Sequence, residues 1–147
     1  MLTTIEFLTI TNQFQKVYGS KLSEIASAYD MTKVEIDVLL FLYNNPQYDT
    51  AKEIVEFRHI AKSYVSKAVD LLVKRGYLAV EEDASDRRVA HLTIVDGAAK
   101  VAAKARKAQE EVMGVIFEGV TEEEKQTFEN ILRKMMENME KDKRGED

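Results

Sequence analysis

The side chains best equipped to engage a ligand fall in two short stretches. Arg87 and Arg88 lie within EEDASDRRVAHL, Glu81 to Leu92, where eight successive residues hold four carboxylates and both guanidiniums. Upstream, Lys62, Ser63, Tyr64, Ser66 and Lys67 follow one another closely. Cations neutralise phosphate, hydroxyls donate to it, and lysine or arginine also reaches the guanine acceptors of the major groove. Catalysis has far less to work with. The only histidines, His59 and His91, are far apart in sequence, and neither pairs with a carboxylate at a convincing metal-ligand spacing. One reads as a turn residue and the other as an outward strand position. Cysteine is absent, and there is no glycine-rich phosphate loop or nucleophile motif. The expectation is a protein that is not an enzyme, with no metal and no cofactor.

The net charge of −5 over 147 residues argues weakly against nucleic acid, but the acid is unevenly spread. Residues 1–51 and 119–147 each sum to −3, whereas 52–91 sum to +1. Between Arg58 and Gly76, five cations (Arg58, Lys62, Lys67, Lys74, Arg75) face a single acid, Asp70. Such a local positive field attracts phosphate. A solvated helix face explains the cluster equally well in isolation, so the elements that carry it must decide.

Helix starts are marked three times by Thr-x-x-Glu, at Thr32, Thr50 and Thr121, a pattern in which the hydroxyl and carboxylate satisfy orphan N–H groups. After Thr32, Ile36, Leu39, Leu40 and Tyr43 recur at helical spacing until Asn44-Asn45-Pro46 stops the helix. A short helix from Thr50 to about Phe57 follows. Val65, Ala68, Val69, Leu72 and Val73 then form the buried stripe of another, closed by Arg75-Gly76. Opposite that stripe lie Ser63, Ser66, Lys67, Asp70 and Lys74, flanked near the N-terminal end by Lys62 and Tyr64.

Beyond Gly76, Tyr77 to Glu81 reads as a strand. The charged turn follows, and Val89 to Ile94 returns with Ala90, Leu92 and Ile94 on one side. Short helix, tight turn, second helix with a polar outer face and then a hairpin is the order of a winged helix-turn-helix, whose second helix enters the major groove. A mainly α fold with a small β-hairpin wing is therefore predicted. The tip of such a wing should be basic, and Arg87 and Arg88 supply the charge.

Over almost its whole length the chain resembles the MarR-type regulators, the multiple-antibiotic-resistance regulator family. The residues that carry the resemblance are MTKVEIDVLLFLYNN, AKEIVEFRHIAKSYVSKAVDLLVKRGYL and the wing EEDASDRRVAHLT, with the Asp-x-Arg signature at Asp86-Arg87-Arg88 followed by Leu92-Thr93. The resemblance implies a homodimer that binds palindromic double-stranded DNA, usually as a repressor, and is often released by a small-molecule effector. It also implies that Arg88 enters the minor groove, that Asp86 orients it through a bidentate pair, and that Arg87 meets phosphate. A turn-pinning surface salt bridge is the plainer account of Asp86 and Arg88. Two departures stand out. Arg58-His59-Ile60-Ala61 lacks the family's usual glycine and capping serine, which leaves the start of the recognition helix open. The segment after the wing is a residue longer than usual, which makes Asp96 the candidate cap.

The chain ends carry apolar stripes at helical spacing: Ile10, Phe14, Val17, Tyr18, Leu22, Ile25 and Tyr29 in the first helix, and Phe128, Ile131, Leu132, Met135, Met136 and Met139 in the last. Part of each stripe packs within its own chain. The family uses these ends, with the helix from about Gly97 to Phe117, as a dimer body, and Ala98, Ala99, Ala102, Ala103 and Ala105 permit close helix approach. The expected plan is one domain, 1–147. Within it are a DNA-binding lobe at 32–95, dimerisation helices at 1–30 and 96–141, and a frayed charged tail at 142–147. Tyr18, Tyr29 and Tyr43 are available to an effector crevice but are equally accounted for as core, so no ligand pocket is nominated. The N-terminal stretch reads as an amphipathic helix and not a signal peptide, no apolar run spans a bilayer, and a cytoplasmic protein is expected. The rival reading is a dimeric helical protein-interaction module that keeps the fold without binding an operator.

Overall fold

The computed structural model describes residues 1–145. Six helices and one hairpin follow in the order α1 (Thr4–Ala28), α2 (Lys33–Asn44), α3 (Ala51–Arg58), α4 (Lys62–Lys74), β1 (Leu78–Glu82), β2 (Ala90–Ile94), α5 (Asp96–Ile116) and α6 (Glu122–Arg144). This is the mainly α, winged arrangement expected from the sequence. All three Thr-x-x-Glu segments form complete capping boxes, and a fourth at Thr3 and Glu6 starts α1.

The chain separates between Met113 and Gly114 into two compact units. The physical reason is that α6 buries none of its described residues and adds no core of its own. The core lies in the first unit, around α2. Ile36 through Leu42 are buried without interruption, so this helix is enclosed on all sides instead of resting one face on a layer. Leu22 of α1, Ile54 of α3, and Val65 and Leu72 of α4 are fully buried with it. Each such side chain contributes on the order of 1.5–3 kcal/mol by leaving water. From α5 the core receives small residues, Ala98, Val101, Ala105 and Ala108. Ala99 and Ala103 are exposed, so three of the five expected close-approach alanines serve this packing.

Only part of the α1 stripe packs within its own chain, as expected, and two other expectations are corrected. The α1 stripe is divided: Leu22 is buried and Tyr18, Ile25 and Tyr29 are half-buried, while Ile10, Phe14 and Val17 stay exposed because α1 extends past the elements that cover its second half. Val73 is exposed, and with Val80 it lines a groove between α4 and the hairpin instead of entering the core. The charged end is helical to Arg144, favoured by Lys141, Lys143 and Arg144 at the negative end of the helix dipole and by a left-handed Gly145 cap. The expected tail reaches further, to Glu146 and Asp147, which lie outside the described residues.

Tyr18, Tyr29 and Tyr43 have structural neighbours. The Gln109 amide donates to the Tyr18 hydroxyl at 2.8 Å, Lys104 stands over the Tyr29 ring, and Arg106 over that of Tyr43.

Candidate nucleic-acid interface

The helix-turn-helix is built by two capping solutions. α3 ends at His59, which adopts φ 51° and ψ 36°, the left-handed geometry where the family often has glycine. A side chain there costs roughly 1–2 kcal/mol, although histidine is among the residues that enter this region more readily than most. The chain turns through Ile60, and α4 begins at Lys62, with Ala61 at the cap position and no side-chain cap. The Ala61 carbonyl accepts from the N–H groups of Tyr64 and Val65. This fixes the start of the recognition helix that the sequence left open.

At its other end α4 closes with a Schellman motif. Gly76, at φ 74°, donates to the Val73 carbonyl at 3.0 Å, and Tyr77 donates to that of Leu72 at 2.9 Å. The chain passes directly into β1, which pairs antiparallel with β2 in the register Leu78 with Ile94, Val80 with Leu92 and Glu82 with Ala90. Recognition helix and wing are thus joined by three residues, Arg75, Gly76 and Tyr77.

Val65, Ala68 and Leu72 hold α4 to the core, which leaves Lys62, Ser63, Tyr64, Ser66 and Lys67 all exposed on its outer surface. The structure therefore brings the five expected helix residues to one solvent-facing region. The cationic field is thinner than the sequence count suggests. Arg58 turns inward to Asp37 at 3.3 Å, and Arg75 donates to the fully buried Glu35 at 2.8 Å and to the Asp30 carbonyl at 2.6 Å. Burial raises the Asp37 carboxyl above its usual range against the lowering effect of Arg58. Two of the five cations therefore hold α3 and α4 against α2, and Lys62, Lys67 and Lys74 remain outside.

At the wing tip, Arg88 Nε donates to Asp86 Oδ1 and Nη2 to Oδ2, both at 3.1 Å, while the Arg88 backbone N–H also meets Oδ1 at 3.0 Å. This bidentate pair leaves the Arg88 side chain 90 % exposed. The guanidinium is oriented without being hidden. Its hydrogen bonds hold the Asp86 carboxyl below the usual range. Arg87 is exposed beside it.

The wing differs from expectation at three points. Val89 belongs to the turn, donating to the Asp86 carbonyl, and β2 starts at Ala90. Asp96 is the first residue of α5 and not its cap. His91, read as simply outward, is held on both sides: Nδ1 is 2.8 Å from Asp49 Oδ1 and Nε2 is 2.8 Å from Asp83 Oδ1. Bonds from Asp83 first, and then Asp49, push the imidazole up to about 9. Asp83, left unexplained by the sequence, also accepts the N–H groups of Ser85 and Asp86 through Oδ2, at 2.9 and 3.0 Å. One signal was available in the alternation, since residues 81, 83 and 91 share a strand face.

A family model described as MarR family matches residues 29–89, which span the end of α1 to the wing tip. Over those residues the chain is similar to the MarR family. A curated relative, the uncharacterized HTH-type transcriptional regulator YybA of Bacillus subtilis (strain 168), is 25% identical over 113 residues, 77% of this chain and 75% of that protein. A MarR-family transcriptional regulator from Silicibacter pomeroyi superposes with a TM-score of 0.80 at 21% identity, over 93% of this chain and 92% of its own. The S. aureus MepR–DNA complex does so with a TM-score of 0.73 at 18% identity, over 94% and 97%. These structural likenesses bear on the fold, and the MarR-family winged helix is that fold. Among the described residues no group of histidines, cysteines and carboxylates could hold a metal ion, and no helix is long and apolar enough to cross a membrane.

Proposed function

We propose that this chain is a MarR-type, sequence-specific, double-stranded DNA-binding transcriptional regulator that acts as a homodimer on palindromic operators, in the simplest case as a repressor. The observation that carries the reading is Arg88, oriented by Asp86 yet open to solvent, on the same rigid lobe as the exposed Lys62, Ser63, Tyr64, Ser66 and Lys67. The helix residues read base edges and phosphates in the major groove. Arg88 enters the neighbouring minor groove, and Arg87 meets phosphate. Asp86 holds the guanidinium in its working direction, so less side-chain freedom is lost on contact. A relative of the same fold is described in complex with DNA, which supports this use of the lobe.

Residues 32–95 form the reading lobe, and 1–30 with 96–141 supply the homodimer contact. Exposed apolar side chains support the second assignment: Phe14 with Ile10 and Val17 on α1, and Phe128, Ile131, Leu132 and Met139 on α6, with Met135 half-buried among them. A small-molecule effector releases the operator by binding the DNA-incompetent conformation more tightly, since equal affinity shifts nothing. Such a regulator works in the cytoplasm and performs no catalysis.

The test is selection of duplex from a random-sequence library, followed by titration at increasing salt. The expected product is a palindrome with half-site centres about one helical turn apart. Its affinity should fall steeply as salt rises. A dimer by sedimentation that enriches no sequence would instead favour a protein-interaction module on the same fold.

A further inference from the structure

We propose that His91 is a positioning residue of the DNA interface: its imidazole joins Asp49, in the loop before α3, to Asp83 at the end of the first wing strand, and through Asp83 and Asp86 fixes the direction in which Arg88 leaves the wing. This rests on the reading of Arg88 as a DNA contact.

The connection is continuous, and Asp83 divides its two oxygens between its neighbours. Asp49 Oδ1 meets His91 Nδ1, and His91 Nε2 meets Asp83 Oδ1, both at 2.8 Å. The other Asp83 oxygen, Oδ2, accepts the backbone N–H groups of Ser85 and Asp86. Asp86 then grips Arg88 with both of its oxygens. Carboxylates accept and do not donate, so serving two of them requires a proton on each ring nitrogen. The imidazole is therefore a cation between two anions, consistent with its pKa of about 9. Because Asp83 holds the two amides that shape the turn just before Arg88, any slack in Asp83 reaches the guanidinium.

Keeping the hairpin folded does not require this connection. The Leu92 N–H donates to the Asp49 carbonyl at 2.7 Å, which ties β2 to the same loop through main chain alone. The strands pair over five residue pairs, and Leu78 and Leu92 are buried in the core. Loss of the imidazole should leave a folded wing whose tip is less sharply aimed. Asp83 and Asp49 would otherwise be acids near a polyanion, unfavourable on charge alone. The relay gives both a use.

Two variants with opposite charge changes separate aim from electrostatics. His91→Gln removes a positive charge and can serve only one of the two carboxylates. Asp49→Ala removes a negative charge and spares the carbonyl that binds Leu92. Fluorescence anisotropy on a duplex selected by the wild-type protein should show both weakening binding, by about five- to twenty-fold, less than the loss in Arg88→Ala. In an Arg88→Ala background neither should weaken it further. Amide exchange at Ser85 and Asp86 should quicken in both, with the thermal transition retained. Opposite shifts in affinity, undiminished losses without Arg88, or unchanged exchange at those amides would each overturn the relay. If Arg88→Ala alone leaves affinity unchanged, the minor-groove reading fails and the DNA role of His91 fails with it. The amide measurement still reports separately whether the imidazole orders the turn.

Discussion

Arg88 and Asp86 make opposite demands on simple electrostatics. Arg88→Ala should weaken specific binding by about 1–3 kcal/mol while leaving the sedimentation of the protein unchanged. Asp86→Ala removes an acid from the proposed DNA surface, yet it should also weaken binding, because the freed guanidinium must be ordered on contact. Improved affinity in that variant would show that Asp86 only pins the turn. The His91 pair sets a pH window. A histidine whose folded pKa is raised stabilises fully below its ordinary value of 6.5, and the contribution is lost as pH rises through about 9. Asp83, lowered from 3.8 chiefly by the His91 bond, stabilises above its ordinary value and loses that contribution as acid protonates it. Glu81, directly across from His91 in the strand register, adds to the acidic surroundings that favour the cation. The excess wing-tip amide protection of wild type over His91→Gln should therefore persist at neutral pH and close by about pH 10. The Asp86–Arg88 pair could be read from the sequence because its members are two residues apart. Arg75 with Glu35 and His91 with Asp49 could not, since forty and forty-two residues separate them and no local pattern announces either.

Among the elements, the starts of α2, α3 and α6 were readable for the same reason: a capping box is complete within four residues. Buried stripes read less well at their margins. Periodicity gives the direction of a face, but how far the neighbouring element extends decides whether Val73 or Phe14 is covered. His59 is a case where chemistry sharpened by structure yields a measurable outcome. Its left-handed backbone predicts that His59→Gly raises stability modestly, by up to about 1 kcal/mol, the relief of strain outweighing the entropy of a more flexible unfolded chain. His59→Val should lower stability by more than that, because a β-branched residue fits φ 51° poorly. Urea unfolding of the three proteins checks the order, and a valine variant as stable as wild type would mean the turn does not hold this geometry in solution. Within α4, Leu72→Ala should cost about 2–5 kcal/mol, as expected for a fully buried leucine.

For the molecule as a whole, charge and apolar surface are divided by position along the chain. The middle reads cationic and the ends acidic, yet those ends carry the exposed Phe14, Phe128, Ile131, Leu132, Met136 and Met139. If these faces make the proposed homodimer, Ile131→Glu should shift the protein toward monomer in sedimentation and reduce affinity for a two-half-site duplex far more than for a single half-site. Unchanged sedimentation would remove that face from the interface. Composition alone could not have shown this division, because a net charge of −5 averages a cationic surface away. The joint at Gly76 sets how such a dimer measures DNA. With α4 joined to β1 by only Arg75, Gly76 and Tyr77, and that link closed by two main-chain bonds, recognition helix and wing have little room to change their span, like the jaws of a caliper. In the proposed complex each lobe would gauge one groove-to-groove step. Tolerance of longer or shorter spacers between half-sites then belongs to the helices outside residues 32–95, so insertions at Gly76 should abolish recognition where operator spacing variants merely weaken it.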